Sequence, residues 1–126
     1  MAGRIEDHKN LKIWIRAREL VIEIYTLTEK FPKSEVFVLV SQMRRAAISV
    51  PSNIAEGAAR LSTKEYIRFL LISTGSLAEL ETQLILCADL GYISNTEGEI
   101  IKLMKDMLIL RKQLYATIRS LREKTS

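Results

Sequence analysis

Along four stretches of the chain, apolar residues recur at alternating intervals of three and four. That spacing lines one face of an α-helix, whereas a half-buried strand would alternate every second residue. The first stretch, about residues 10–30, carries Trp14, Ala17, Val21, Ile24, Thr28 and Phe31. The second, about 35–60, carries Val36, Val40, Met43, Ala47, Val50, Ile54, Gly57 and Leu61, a heptad-like register that outweighs the strand-like run 36–40. The third, about 63–90, carries Tyr66, Leu70, Ser73, Leu77, Leu80, Leu84 and Cys87, and the fourth, about 95–123, carries Ile100, Met104, Met107, Leu114, Ile118 and Leu121.

Each break has a physical cause. The residue before a proline is driven out of the helical region, so Phe31-Pro32 closes the first helix, and Ser34 is a candidate N-cap for the second. Ser62 followed by Glu65, and Ser94 followed by Glu97, have capping-box spacing, and Gly91 stops the third helix. Helices of 20 to 28 residues are about 30 to 42 Å long, and connections of a few residues force neighbours antiparallel. The expectation is an all-α, up-down-up-down four-helix bundle filling residues 1–126 as a single domain. Pro51 falls inside the second helix, where it deletes the hydrogen bond to Ala47, so a kink is expected there; a helix broken near Val50 is the alternative.

The residue inventory argues against catalysis. His8 is the single histidine and Cys87 the single cysteine, so neither a zinc site nor a di-iron Glu-x-x-His pair can be assembled, and no metal or other cofactor is expected. The five glycines fit no phosphate-cradling spacing. Glu79 and Glu81 are two apart and do not face each other on a helix. Cys87, on an apolar helical stretch, reads as a core residue in a reducing cytoplasm. Apolar runs such as 36–40 are too short to span a bilayer, so no membrane role and no small-molecule substrate is expected.

Beside the second seam runs a polar line of Arg45, Ser49, Ser52, Glu56 and Arg60. A turn centred between Leu61 and Ser62 sets Arg45 level with Glu79, and Glu56 nearly level with Arg68. These are either ion pairs, within a subunit or between subunits, or a solvated charged face.

The segment QMRRAAISVPSNIAEGAARLSTKEYIRF, residues 42–69, resembles the four helix bundle proteins known as 23S rRNA intervening-sequence proteins. Their Gln-x-x-Arg-Ala run and Ser-x-Pro-Ser-Asn-Ile-Ala-Glu-Gly signature are matched by Gln42, Arg45, Ala46, Ser49, Pro51, Ser52, Asn53, Ile54, Ala55, Glu56 and Gly57, with Arg44 and Arg60 beside them. Leu11 to Trp14, Tyr25 to Thr28, Phe31-Pro32 and Gly75-Ser76-Leu77 with Glu79 extend the likeness over about residues 10–93. Ala58 stands where the family usually has an aromatic. The resemblance implies a four-helix bundle assembled into a ring, with five subunits as the expected number, and no enzymatic activity. It also implies genes within spacers of bacterial large-subunit rRNA, a distant likeness to accessory proteins of reverse transcriptases, and RNA or a nucleic-acid-bound protein as a partner by analogy.

Charge adds a second route to that partner. If both termini and the turn between the second and third helices share one end, residues 1–20, 47–76 and 109–126 lie there. Thirteen basic against six acidic side chains give this end +7, leaving −3 for the other within a total of +4. Lys12, Arg16, Arg60, Lys64, Arg68, Arg111, Lys112, Arg119 and Arg122 are the candidate nucleic-acid contacts. Phe69, Ile72, Leu86 and Leu90 form a second apolar stripe on the third helix, more than one bundle core needs, which points to a homo-oligomer. An interaction scaffold without a nucleic-acid role is the competing expectation.

Overall fold

The computed structural model describes residues 8–94 and 97–125. They form four α-helices, α1 (Lys12–Thr28), α2 (Ser41–Ala58), α3 (Thr63–Asp89) and α4 (Gly98–Thr125), with no strand among the described residues. Helix α1 packs on α2, α2 on α3, α3 on α4 and α4 on α1, so the four close around one apolar core.

The seams read from the sequence point inward, with corrections. Ala17, Ile24, Val50, Ile54, Leu70, Leu77, Leu84, Met107 and Leu114 are all buried. Trp14, Val21 and Met104 lie at the core's edge, while Ile13, Leu20, Leu27, Leu103 and Leu110 take the central places that the first and fourth seams left out. Leu61, expected as the last seam residue of the second helix, is 85% exposed, because the helix ends at Ala58 and the chain has already turned outward. Helix α3 has the length and apolar character of a membrane span, yet nine of its side chains, Ser73 and Gln83 among them, pack into the core.

The helix ends follow local chemistry. Ser62 caps α3, its Oγ accepting from the Glu65 N–H at 3.2 Å. Beyond α3, Gly91 takes φ +82°, its N–H bonds the Ala88 carbonyl and the Tyr92 N–H bonds the Cys87 carbonyl, the double-bonded left-handed stop that glycine permits. Ser34 does not cap the second helix. It sits in a 3₁₀ turn (Lys33–Glu35), where the Glu35 N–H bonds the Pro32 carbonyl; the run Val36–Val40 follows as a π turn before α2 begins. Before α4, the Glu97 N–H bonds the Ser94 backbone carbonyl, and the residues between, Asn95 and Thr96, lie outside the described residues. Pro51 stands inside α2, whose helical assignment continues on both sides.

Helices α2 and α3 meet in opposite directions, Met43 against Cys87, Ser49 against Ser76, Val50 against Ser73 and Gly57 against Tyr66 and Phe69. The 3₁₀ turn after α1 and the loop after α3 also touch: Phe31 and Tyr92 pack with ring centroids 5.8 Å apart, and the Tyr92 hydroxyl hydrogen-bonds Glu35, which raises its pKa.

Candidate nucleic-acid interface

Most of the 42–69 segment packs rather than reaches out. Gly57 allows the backbones of α2 and α3 to approach, since a Cβ there would stand 2.7 Å from the Phe69 Cβ. Ser49 and Ser76 share a 2.7 Å hydrogen bond across the two helices, and Asn53 Nδ2 donates to the Ser49 carbonyl at 2.8 Å and its Oγ at 2.9 Å. The fully buried Ser73 hydroxyl donates to the Val50 carbonyl at 2.9 Å. Arg44 ties α2 to α1. Its Nε donates to Thr28 Oγ1 at 2.9 Å, a second nitrogen reaches the Tyr25 carbonyl at 3.4 Å, and the guanidinium lies 4.3 Å from the Tyr25 ring centre. It thereby satisfies and neutralises the carbonyl end of α1. Gln42, Arg45, Ser52 and Glu56 are exposed.

The expected cross-helix ion pairs are not formed within the chain among the described residues. Arg45 and Glu79 are both exposed, and Glu79 instead accepts from Gln83 at 3.3 Å. Glu56 pairs with Arg60 at 3.3 Å and Arg68 with Glu65 at 3.2 Å, each within one helix turn or so along its own stretch. Helix neighbours three or four apart are already within reach, and across the turn Glu56 still acts on Arg68, adding to the larger effect of Glu65 in raising its pKa.

The nine candidate basic residues fall into three groups. Arg60, Lys64 and Arg68 cluster around the α2–α3 turn, all exposed, with both guanidiniums over the buried Phe69 ring at 4.9 and 4.6 Å. Arg68 first, then Arg60 and Lys64, hold the Glu65 carboxyl below its usual range, so the three cations converge on one carboxylate. Lys12 at the start of α1, Lys112 near the middle of α4, and Arg119 and Arg122 in its last turns are exposed. Arg16 and Arg111 are half-buried, and Arg111 is taken by an ion pair with Glu81 of α3.

The α1–α4 flank carries charges that the sequence reading did not single out. Lys30 bonds Glu99 at 2.9 Å, and Lys102 bonds Asp106 at 2.7 Å and lies 3.7 Å from Glu23. Burial first, then the Asp106 carboxylate, push Glu23 above the usual glutamate range, while Lys102 opposes them.

Two larger apolar grooves accompany a smaller one of about 220 Å³ between α1 and α4, lined by Ile22, Glu23, Thr26, Glu99, Lys102 and Leu103. One of about 400 Å³ lies between α1 and α2, lined by Trp14, Arg18, Val21, Ile22, Ile48, Pro51, Ser52 and Ala55. The other, about 580 Å³, lies between α3 and α4 and the loop joining them, lined mainly by Leu84, Ile85, Ala88, Ile93, Ile100, Ile101, Met104 and Leu108. No group of three or more His, Cys, Asp or Glu side chains fit to hold a metal ion occurs among the described residues.

No curated protein matches the chain. The sequence model of one family, 23S rRNA-intervening sequence protein, matches residues 9–116, taking in all of α1, α2 and α3 and most of α4. The chain belongs to the 23S rRNA-intervening sequence protein family.

Proposed function

We propose that the protein is a non-enzymatic, ring-forming homo-oligomer of the bacterial cytoplasm, with five subunits, whose basic end binds the phosphate backbone of RNA. The carrying observation is that seven of the nine candidate basic side chains are exposed, six of them at the start of α1, the α2–α3 turn and the last turns of α4, with Lys112 near the middle of α4. An up-down-up-down topology, with α2 bending at Pro51 where Ala47 lacks its N–H partner, brings those segments to one end. The facing of Trp14 and Arg18 toward Ser52 and Ala55 supports that arrangement, as does the pull of Arg16 on Asp106. Subunits pointing the same way multiply the basic face.

Arg111 drops out of the contact set because Glu81 occupies it. Exposed aromatic rings for base stacking are few, Tyr115 being the large one on α4, so binding reads the backbone more than the sequence. The test is RNA affinity against salt. Phosphate contact requires log K to fall with log salt by roughly 0.7 to 0.9 per phosphate neutralised. Changing Arg16, Lys112, Arg119 and Arg122 together to Glu abolishes binding. Undetectable binding at low salt, or binding indifferent to those changes, removes RNA and leaves a protein-binding scaffold, a reading that the two apolar grooves favour.

A further inference from the structure

We infer that the α2–α3 turn is a seat for one phosphodiester of RNA, built by Arg60, Lys64 and Arg68, in which the Glu65 carboxylate stands where the phosphate goes; this deepens the RNA reading above and rests on it. The three cations are exposed and come from both sides of a short turn, Arg60 just past the end of α2, Lys64 and Arg68 on the first two turns of α3. The guanidiniums of Arg60 and Arg68 lie 4.9 and 4.6 Å from the centre of one buried ring, Phe69. Like charges gathered around one ring repel, and an anion among them relieves that repulsion. In the unbound protein that anion is Glu65. Arg68 grips it as a fork, Nη2 donating to Oε1 at 3.2 Å and Nε to Oε2 at 3.4 Å, and Arg60 and Lys64 add their attraction.

The same fork fits two oxygens of a phosphate, the geometry for which arginine is suited and lysine is not. Glu65 yields to such a ligand cheaply. The side chains of Arg68 and Glu65 are 56% and 39% exposed, and an ion pair so open to water holds weakly. Glu56, paired with Arg60 at 3.3 Å, is no less exposed. The backbone N–H of Glu65, not its carboxylate, bonds the Ser62 cap, so the start of α3 survives when the carboxylate swings away. The Phe69 ring meanwhile keeps both guanidiniums placed before RNA arrives, which lowers the ordering cost of binding. With Glu56 and Glu65 set against the three cations the turn carries only +1, so it is the fork, more than net charge, that marks it out.

The test is the fluorescence anisotropy of a labelled oligouridylate at low salt. Glu65→Gln removes the competing carboxylate and keeps the capping box, which accepts either residue. Affinity is expected to rise up to about fivefold, the worth of one exposed ion pair. Glu19→Gln, the same change of charge at an exposed position on α1, is expected to raise it less. Arg68→Lys keeps the charge and loses the fork, so affinity is expected to fall about tenfold while the slope of log K against log salt stays the same. A gain from Glu65→Gln no larger than that from Glu19→Gln, or an Arg68→Lys variant that binds as tightly as the unchanged protein, overturns the seat. If changing Arg16, Lys112, Arg119 and Arg122 to Glu still abolishes binding in that case, the RNA reading stands without it. An unchanged protein that binds no oligouridylate overturns both. Sedimentation with phosphatidylglycerol vesicles in place of oligouridylate binding, lost in Arg68→Lys, assigns the turn to lipid phosphate and overturns its assignment to RNA.

Discussion

Gly57 of α2 lies so close to Phe69 of α3 that a Cβ built on the glycine would stand 2.7 Å from the Phe69 Cβ, and 3.0 Å from the Tyr66 ring. Neither neighbour can yield cheaply, since the first contact is with a carbon fixed to the α3 backbone. Gly57→Ala is therefore expected to destabilise by about 1 to 3 kcal/mol through overpacking, despite the helix preference of alanine. Gly75, inside α3, has nothing within 4 Å of its virtual Cβ, so Gly75→Ala is expected to stabilise by about 0.5 to 1 kcal/mol. Denaturant midpoints of the two variants should move in opposite directions, and a rise for both would show that α2 and α3 are not in this close contact.

These two glycines mark where sequence reading stops. Helical periodicity distinguishes an inward from an outward face, which is why Ala17, Val50, Leu77 and Leu114 were legible as core. It does not choose among the interleaved three-and-four paths along a broad apolar face, so Leu20, Leu27, Leu103 and Leu110 were passed over although they are buried. The run 36–40 is helical rather than a strand, as its register implies, but a π turn and a 3₁₀ turn stand where Ser34 is expected to cap the helix, and nothing in residue type announces them. For the candidate interface, charge placement was readable, but the engagement of Arg111 by Glu81 and the two grooves depend on which helices become neighbours.

Glu23 and Asp106 should impose opposite pH dependences on stability. Glu23 is raised by burial and by Asp106, so its cost to folding is absent below the ordinary glutamate value of 4.5 and fully present above its folded value. Asp106 is lowered, chiefly by the hydrogen bond from Lys102, so its contribution is present above the ordinary aspartate value of 3.8 and is lost as pH falls through its folded value. Glu23→Gln should then raise the unfolding midpoint at pH 7 and leave it little changed at pH 3. Asp106→Asn should lower it at pH 7. A fall at pH 7 for Glu23→Gln would mean that Lys102 outweighs burial at this site.

Cys87 should be chemically silent until the bundle opens. Its side chain is fully buried, its thiol donates to Met43 Sδ at 3.5 Å, and burial first, with Glu35 adding, pushes its pKa up to about 11. The thiolate is the reactive form, so both access and ionisation disfavour attack. Labelling by an aromatic disulfide at pH 8 is expected to proceed at the rate of unfolding and to accelerate in denaturant in step with the loss of helical circular dichroism. Rapid stoichiometric labelling of the folded protein would place the α2–α3 contact at Met43 and Cys87 open to solvent.

Gln83 is one of the few buried polar side chains of α3. The residue is only 6% exposed, its Nε2 donates to Glu79 at 3.3 Å, and its Oε1 has no hydrogen-bond partner among the described residues. Leaving a buried carbonyl unpaired costs roughly 1 to 3 kcal/mol, more than the single bond to an exposed carboxylate returns. Methionine has nearly the same length and flexibility without the polar atoms. Gln83→Met is therefore expected to raise stability by about 1 kcal/mol, which at this chain length is roughly 2 to 6 °C in Tm. Glu79→Gln, at an exposed position, should change stability by less than about 0.5 kcal/mol. Gln83→Glu should be the least stable of the set, because it buries a charge next to Glu79. The order Met above Gln above Glu, measured by thermal unfolding at one protein concentration, tests the point. If Gln83→Met lowers Tm instead, the carboxamide oxygen has a donor that the single subunit does not supply. Repeating the measurement across a hundredfold range of concentration then shows whether that donor comes from a neighbouring subunit, since only then would the loss shrink on dilution.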